Sequence, residues 1–416
     1  MREGRMLEMK ESVTNTFLKT VSAYANYDGG TIVFGISDDG TIKGLENPEQ
    51  ACLDIENKIN DSIAPQPDYT LHIKKDEAVV LLTVKSGLSK PYLYKSKAYK
   101  RNDTSTIEVD STELARLILA GKNINYEELA SENQELSFQI LGEAMKKAKG
   151  IDRFDKDILK TLSLYSDTEG YNNAAAILAD TNDFPGIDLV KFGDSINIIE
   201  KRTTLNHMSM IKAFERALEM FRDYYHYEII DGAVRKNVEK IPEAAFREAI
   251  ANALIHRLWD VKAQIRVSMF RDRIEIVSPG GLPMGITEAE YLSGKISVLR
   301  NPVMANVFYR LGIVEIFGTG ILRIFQLYEG SVSRPRFEMG ENTITAILPV
   351  IEKHPEMTKD ELAVYKLLSS TMPKSISEIV PLTEFGKSKT TDILKKMGKK
   401  GLVTIEGKGR GTRYRL

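Results

Sequence analysis

The 416-residue sequence lacks most features that mark membrane, secreted or metal-cluster proteins. Its one cysteine, Cys52, provides neither a disulfide framework nor a cysteine zinc site. The five histidines are scattered without the spacing of metal ligands. No run approaches the roughly 18 apolar residues of a membrane-spanning helix, and the N-terminus has no apolar signal core. We therefore expect a cytoplasmic protein that makes no membrane contact.

The sequence also lacks an excess of charge, because 57 basic residues face 58 acidic ones and the formal net charge is −1. A uniformly basic surface for nucleic acid is thereby excluded, and any basic patch must be local. The hydrophobic fraction of 42% and the charged fraction of 28% are those of an ordinary globular chain. The length exceeds that of a single core and indicates about three domains.

The stretch from Pro242 to Trp259 combines a helical pattern with a line of polar residues. It begins with proline, contains good helix formers and repeats apolar residues at three- and four-residue steps, so we predict a helix with a buried face. Glu248, Asn252 and His256 are four residues apart and lie along one line of this helix. A carboxylate, an amide and an imidazole suit phosphate chemistry, whereas a solvated polar stripe would show the same spacing.

Two glycine turns follow this helix. The runs 264–270 and 273–277 are typical of a hairpin, and its second strand ends in Ser278-Pro279-Gly280-Gly281-Leu282-Pro283. Further along, a helical run extends from Arg300 to Leu311, and Phe317-Gly318-Thr319-Gly320-Ile321 opens another helix. The free amides at such a helix start favour an anion.

This series resembles the nucleotide-binding boxes of the GHKL (Bergerat-type) ATPases, in the divergent branch found in bacterial transcriptional regulators. The resemblance covers roughly residues 170 to 350 and implies an α/β sandwich that binds ATP and Mg. It implies that Glu248 polarises water and that Asn252 ligates magnesium. The other candidate cofactor contacts are His256, Ser278, Gly280, Gly281, Gly318, Thr319 and Gly320.

The sequence departs from this family at one position. Ser278 stands at or next to the site of an aspartate that usually accepts a hydrogen bond from the adenine amino group. A serine can accept that bond but supplies no charge. The resemblance therefore leaves open how the base is recognised and whether ATP is hydrolysed.

The N-terminal 115 residues predict an α+β unit that contains several separated motifs. In order they are E-M-K-E-S, A-Y-A-N-Y-D-G-G-T-I-V-F-G-I-S-D-D-G, K-P-Y-L-Y and A-Y-K-R-N-D-T-S-T. This order resembles the Alba-like nucleic-acid-binding domain shared with the Schlafen family. Lys97, Lys100 and Arg101 interleave with tyrosines in a pattern that suits a phosphate backbone with base stacking, or equally a solvated edge.

Four acidic residues of this unit suggest an alternative function. Glu3, Glu8 and Asp38 or Asp39 resemble the three-carboxylate site of the Schlafen ribonucleases, which implies a divalent ion and cleavage of RNA. A frayed terminus, a surface pair and a tight turn would place the same residues there without any metal. Both interpretations stay open at this stage.

The last sixty residues predict three helices followed by two strands around a glycine-rich turn. From Glu384 onward there are ten basic and three acidic residues, a local charge of +7. The pattern resembles a winged helix-turn-helix, which implies a third helix in the major groove of DNA and a basic wing on phosphate. The residues expected to contact DNA are Lys387, Ser388, Lys389, Thr390, Thr391, Lys396, Lys408 and Arg410. Docking to another protein is the alternative use.

The sequence as a whole predicts an α+β multidomain protein that regulates transcription. The expected domains are an Alba-like unit at 1–120, a helical connector at 121–170, a GHKL ATPase-like unit at 171–350 and a winged helix at 356–416. DNA and nucleotide are the expected partners. Binding of RNA and self-association are left open.

Overall fold

The computed structural model describes residues 2–231, 234–283, 285–296, 298–315, 318–329, 331, 333–351, 357–369, 372–407 and 409–416. Contacts divide the chain into two compact units. The first comprises Met1–Gln134, Leu159–Ala176 and Leu282–Thr287, and the second comprises Glu135–Ile158, Ile177–Gly281 and Glu288–Leu416. The four-part division expected from the sequence remains a proposal, and residues 352–356, between its last two domains and at the start of the fourth, lie outside the described residues.

The N-terminal region of the first unit contains helices and short strands. They are β1 (Leu7–Lys10), α1 (Phe17–Asn26), β2 (Gly30–Phe34), α2 (Pro48–Ser62), β3 (Ile63–Ala64), β4 (Tyr69–Lys74), β5 (Val79–Val84), β6 (Leu93–Tyr94), β7 (Tyr99–Asn102), β8 (Ser105–Glu108) and α3 (Ser111–Gly121). One sheet has the order β1-β2-β5-β4, with β1 parallel to β2 and the other neighbours antiparallel. Helices α1 and α2 share an apolar core with β2 and β5. Helix α2 begins at Pro48, where Asn47 caps it by accepting a bond from the Gln50 amide.

Short elements follow between residues 139 and 178. They are α4 (Gln139–Lys149), α5 (Lys156–Thr161), β9 (Tyr165–Ser166), β10 (Gly170–Tyr171) and α6 (Asn173–Leu178). Helix α4 ends at Gly150, which adopts the left-handed conformation with φ of 65°. The start of α4 is fixed by Asp180, whose carboxylate accepts bonds from the amides of Gln139 and Ile140.

A six-stranded mixed sheet dominates the second unit. The elements of this region are β11 (Ile187–Phe192), β12 (Ile199–Leu205), α7 (Met210–Tyr225), β13 (His226–Asp231), β14 (Val234–Glu239), α8 (Glu243–His256), β15 (Ile265–Met269), β16 (Arg273–Pro279), α9 (Glu288–Ser293), α10 (Pro302–Arg310), α11 (Gly320–Leu327), β17 (Arg336–Met339) and β18 (Thr343–Pro349). The strand order is β12-β11-β15-β16-β18-β17, and β11 with β15 is the parallel pair. Helix α8 packs on α7, where Phe246 stacks on Phe221 with ring centroids 4.5 Å apart. Residues 196 and 197 form a turn, and β12 begins at Ile199.

The C-terminal residues of the second unit form a small helical cluster with a three-stranded sheet. The elements are α12 (Lys359–Tyr365), β19 (Lys374–Ser375), α13 (Ile376–Ile379), α14 (Lys387–Lys399), β20 (Thr404–Glu406) and β21 (Arg413–Arg415). The antiparallel sheet has the order β19-β21-β20. Val364, Ile379, Leu394 and Tyr414 belong to the core of this cluster. Among the described residues, no helix is long and apolar enough to cross a membrane.

Candidate nucleotide-binding site

The polar line on helix α8 lies against protein rather than in water. Helix α8 is buried on most sides, and Glu248 is only 6% exposed. The Asn252 side-chain amide lies 3.4 Å from Glu248 Oε1 and can donate to it. The structure therefore places a carboxylate and an amide next to each other on a packed helix. In a solvated polar stripe these side chains would instead face water.

The glycine turn before α11 meets this line directly. A Cβ atom added at Gly320 would lie 2.0 Å from Glu248 Oε1 and 3.2 Å from Asn252 Nδ2. Gly318 has φ of 71°, a conformation that favours glycine. Thr319 occupies the N-cap position of α11 without a side-chain cap bond, and its buried Oγ1 has no partner among the described residues. Folding thus brings together two segments that the sequence analysis had identified separately.

A cavity opens beside this contact. Its empty volume is about 410 Å³, part of which is open to solvent, and its wall is mostly apolar. Asn252, His256, Ser278 and Tyr291 supply the polar groups of the wall. A mostly apolar pocket with a few convergent polar groups is typical of small-molecule sites.

Ser278 and His256 present neutral polar atoms to this cavity. Ser278 is buried, and its hydroxyl donates a 2.9 Å bond to the Ala253 carbonyl, so its oxygen retains lone pairs for a ligand donor. Burial, together with the nearby Arg300 charge, lowers the pKa of His256 to about 4. The imidazole is therefore neutral near pH 7, and its buried Nδ1 has no partner within the described part of the chain.

The carboxyl of Glu248 has properties that suit a general base. Burial raises the pKa of Glu248 above its usual range, while the charges of Arg323 and Arg247 and the bond from Asn252 oppose this shift. The nearby Glu315 charge adds to the rise. A carboxylate with a raised pKa holds a proton more readily during proton transfer.

The glycines of the turn after β16 serve close packing within the protein. Gly280 has φ of 111°, and a Cβ atom there would lie 2.7 Å from Arg300 Nη1. A Cβ atom on Gly281 would lie 2.2 Å from the Glu341 carbonyl oxygen. Adenine contact at Gly280 and Gly281 therefore stays a prediction, since their small size is already required by their protein neighbours.

Sequence reasoning missed two residues that donate hydrogen bonds to the end of α8, and the first of them also bonds to this turn. Arg300 donates from Nη1 to the His256 carbonyl at 2.7 Å and from Nη2 to the Gly281 carbonyl at 3.0 Å. Asn301 donates at 2.6 Å to the Ile255 carbonyl. The only sequence signal was the polar pair that precedes Pro302 at the start of α10.

Three of the four candidate acidic residues of the first unit have partners of their own among the described residues. Glu3 accepts a bond from the Met9 amide at 2.7 Å, and Glu8 is paired with Arg101 and Lys10. The Asp39 carboxylate accepts bonds from Ser37 and from the Thr41 amide within its own turn, and these bonds lower its pKa to about 2. Within the residues that the structure describes, Glu3, Glu8, Asp38 and Asp39 are not part of any group of three that could hold a metal ion. Glu3, Glu8 and Asp39 thus each have other partners, and the three-carboxylate site stays a prediction.

The basic residues expected to bind nucleic acid in the first unit are each paired with a glutamate. Lys97 lies 2.7 Å from Glu108, and Lys100 lies 2.6 Å from Glu113. Arg101 is 4% exposed and lies 2.8 Å from Glu8. The predicted contact of Arg101 with nucleic acid is therefore corrected, because the guanidinium of Arg101 is buried in an ion pair. Lys97 and Lys100 remain at or near the surface.

Helix α14 presents some of the residues expected to contact DNA. Lys387, Ser388 and Lys396 are exposed, and Lys389 is exposed while pairing with Asp360 at 2.7 Å. Thr391 is partly exposed and bonds to the Lys387 carbonyl.

The other expected DNA contacts of this unit have different outcomes. Thr390 is fully buried, and its hydroxyl donates to the Gly386 carbonyl. The predicted contact of Thr390 with a DNA base is therefore corrected, because its side chain faces the core of the cluster. Lys408 lies outside the described residues, as does the side chain of Arg410.

The structure is that of a mixed α+β multidomain chain with a mostly apolar cavity beside α8. Residues 262–348 match the HATPase_c_4 family model, described as "Putative ATP-dependent DNA helicase recG C-terminal". Residues 3–110 match the family model described as "Schlafen, AlbA_2". The first match includes Ser278 and the glycine turns but begins after α8, so Glu248 and Asn252 lie outside it. The two matches support a nucleic-acid-associated chain with an ATPase-type domain.

Comparison with solved structures adds information on the fold alone. The DIP2311 protein of Corynebacterium diphtheriae is 17% identical, with a TM-score of 0.50, over 99% of this chain and 95% of that one. The N-terminal domain of a putative ATP-dependent DNA helicase RecG-related protein from Nitrosomonas europaea is 20% identical, with a TM-score of 0.21, over 27% of this chain and 84% of that one. No curated protein matches.

Proposed function

We propose that this chain is a DNA-binding transcriptional regulator whose central site binds ATP and magnesium. The observation that carries the proposal is the contact of Glu248 and Asn252 with the glycine turn at Gly320, beside the cavity that Ser278 lines. The family match over residues 262–348 supports an ATPase-type domain in this part of the chain.

The residues at the site fit a magnesium nucleotide. The Asn252 amide oxygen is a suitable ligand for magnesium, and Glu248 is placed to orient a water molecule. The Thr319 hydroxyl and the His256 Nδ1, which have no hydrogen-bond partner among the described residues, are buried polar atoms that a nucleotide would satisfy. Ser278 accepts a bond from an adenine amino group through its free lone pairs. Bound magnesium would supply positive charge at the phosphates.

The C-terminal cluster is proposed to act as a winged helix on DNA. Helix α14 follows two shorter helices, and the strands β20 and β21 pair beside β19, which is the element order of that fold. Exposed Lys387 and Lys396 on α14 suit phosphate contacts, and Thr391 suits a base contact. Lys97 and Lys100 of the first unit provide a second, weaker nucleic-acid contact, because each must leave a glutamate partner to bind phosphate.

The nucleotide part of the proposal is tested by calorimetry with ATP and magnesium. We expect Asn252→Ala to abolish magnesium-dependent binding, because a metal ligand acts in the ground state. We expect Glu248→Gln to bind ATP normally and to lose any hydrolysis, because a general base acts only in the transition state. Equal ATP binding by wild type and Asn252→Ala would refute the assignment of the magnesium ligand.

The DNA part is tested by anisotropy with duplex DNA at several salt concentrations. We expect removal of residues 356–416 to weaken binding and to reduce its salt dependence, because basic contacts to phosphate release counterions. Lys396→Gln in the full chain should lower the salt slope by about one unit. A truncated protein that binds DNA as tightly and with the same slope would show that the C-terminal cluster has another role.

A further inference from the structure

Arg323 lies one turn beyond the glycine that contacts the Glu248 carboxylate. Gly320 and Arg323 are three residues apart on α11, so they lie on the same face of the helix. Side chains of a helix lean toward its N-terminus, which here is the glycine turn at 318–320. This geometry favours an Arg323 side chain that leans toward the glycine turn, and the Arg323 charge acts on the Glu248 carboxyl.

The Arg323 guanidinium is available for an anion. The residue is exposed, and within the described part of the chain its side chain forms no hydrogen bond or salt bridge. Its charge nevertheless acts on Glu248, where it is the largest influence that opposes the effect of burial on the carboxyl pKa. Among the described residues, a cation thus acts on the proposed base while it forms no hydrogen bond or salt bridge.

The two other charged residues that act on Glu248, Arg247 and Glu315, are less suited than Arg323 to bind a phosphate. Arg247 is exposed, but it neighbours Glu248 along α8 and also acts on Glu243, on the preceding turn. Glu315 is an anion and would repel a phosphate. Of these groups, Arg323 combines positive charge with a position on the helix that begins at the glycine turn.

We propose that Arg323 contacts the terminal phosphate of a nucleoside triphosphate and gives the site its preference for ATP over ADP. This inference rests on the proposed function. An arginine at the outer end of the phosphate chain forms charge-assisted bonds that are lost when the terminal phosphate is absent. It is a specificity-determining residue that no sequence motif had indicated.

The test is calorimetry of Mg–ATP and Mg–ADP binding to the full chain. We expect wild type to bind ATP more tightly than ADP. In Arg323→Gln, ATP binding should weaken by about tenfold or more, the value of one charge-assisted hydrogen bond, while ADP binding stays within about twofold. Arg323→Lys should retain part of the preference, because it keeps the charge without the planar donor pair.

A matched control removes the same charge elsewhere in the same unit. Arg216 is an exposed arginine of α7 in a surface pair with Glu219 at 2.8 Å. Arg216→Gln should leave both affinities unchanged, and thermal melting should show that both variants are folded. Loss of affinity in this control equal to that in Arg323→Gln would overturn the inference, because the effect would then be one of net charge.

The remaining outcomes separate the inference from the proposed function. If wild type binds neither nucleotide, the proposed function fails and the inference fails with it. If wild type binds ATP and Arg323→Gln keeps the same ratio of ATP to ADP affinity, the inference fails while the proposed function stands. Equal weakening of both nucleotides would show that Arg323 supports only the shared phosphates or the shape of the site, which also overturns the inference.

Discussion

The contact between Gly320 and Glu248 allows a test of the site that does not depend on any ligand. Gly320 lacks a positive φ, so alanine is conformationally allowed there. An alanine Cβ would lie 2.0 Å from Glu248 Oε1, whereas real Cβ atoms essentially never approach another atom within 3.0 Å. The Glu248 carboxylate must therefore move by roughly 1 Å or more from its buried position.

The size of the effect follows from two opposing terms. Overpacking a well-packed interior costs about 1–3 kcal/mol, and replacing glycine by alanine in a helix returns at most about 1 kcal/mol. We expect Gly320→Ala to lower the stability of its unit by about 1–2 kcal/mol. For a domain of this size that is a fall of about 2–8 °C in melting temperature. The chain has more than one unit, so melting midpoints are compared rather than a single free energy of unfolding.

A double-mutant cycle assigns the cost to this contact. In a Glu248→Ala background the closest contact is removed and Asn252 Nδ2 at 3.2 Å remains, so Gly320→Ala should cost little there. The coupling between the two sites should be about 1–3 kcal/mol. Gly4→Ala serves as a control, because an added Cβ at Gly4 meets no atom within 4 Å. An equal melting shift from Gly320→Ala in both backgrounds would refute the geometry on which the nucleotide site is proposed.

Two further predictions concern charged groups away from the site. Arg101→Ala should destabilise the first unit by about 3–5 kcal/mol, because it leaves Glu8 as a buried charge without its main partner. Lys97→Ala removes an exposed pair and should cost less than about 1 kcal/mol. Similar melting shifts in the two variants would contradict this prediction. The bond from Lys400 lowers the pKa of Glu361 below its ordinary value of 4.5, so the pair's contribution is present above pH 4.5 and is lost as the pH falls through the lowered pKa. Acid titration of the melting temperature should therefore show a step below pH 4.5 that is absent in Glu361→Gln, and a step of equal size in that variant would refute it.

The sequence determined the local elements because their signals lie within a few residues of one another. The helix that carries Glu248 and Asn252, the hairpin before Ser278 and the three C-terminal helices with their two strands all follow from periodicity, caps and turn residues. The resemblance to two known families was confirmed in part, over residues 3–110 and 262–348.

The tertiary structure decided which of these residues meet. Arg101 and Thr390 have sequence patterns of nucleic-acid contacts, but packing places one in a buried ion pair and the other in a core. The approach of Gly320 to Glu248 and the bonds of Arg300 to the end of α8 depend on how helices and sheet pack. Such contacts join residues far apart in the chain, and neither local propensity nor periodicity determines which distant partner a side chain finds.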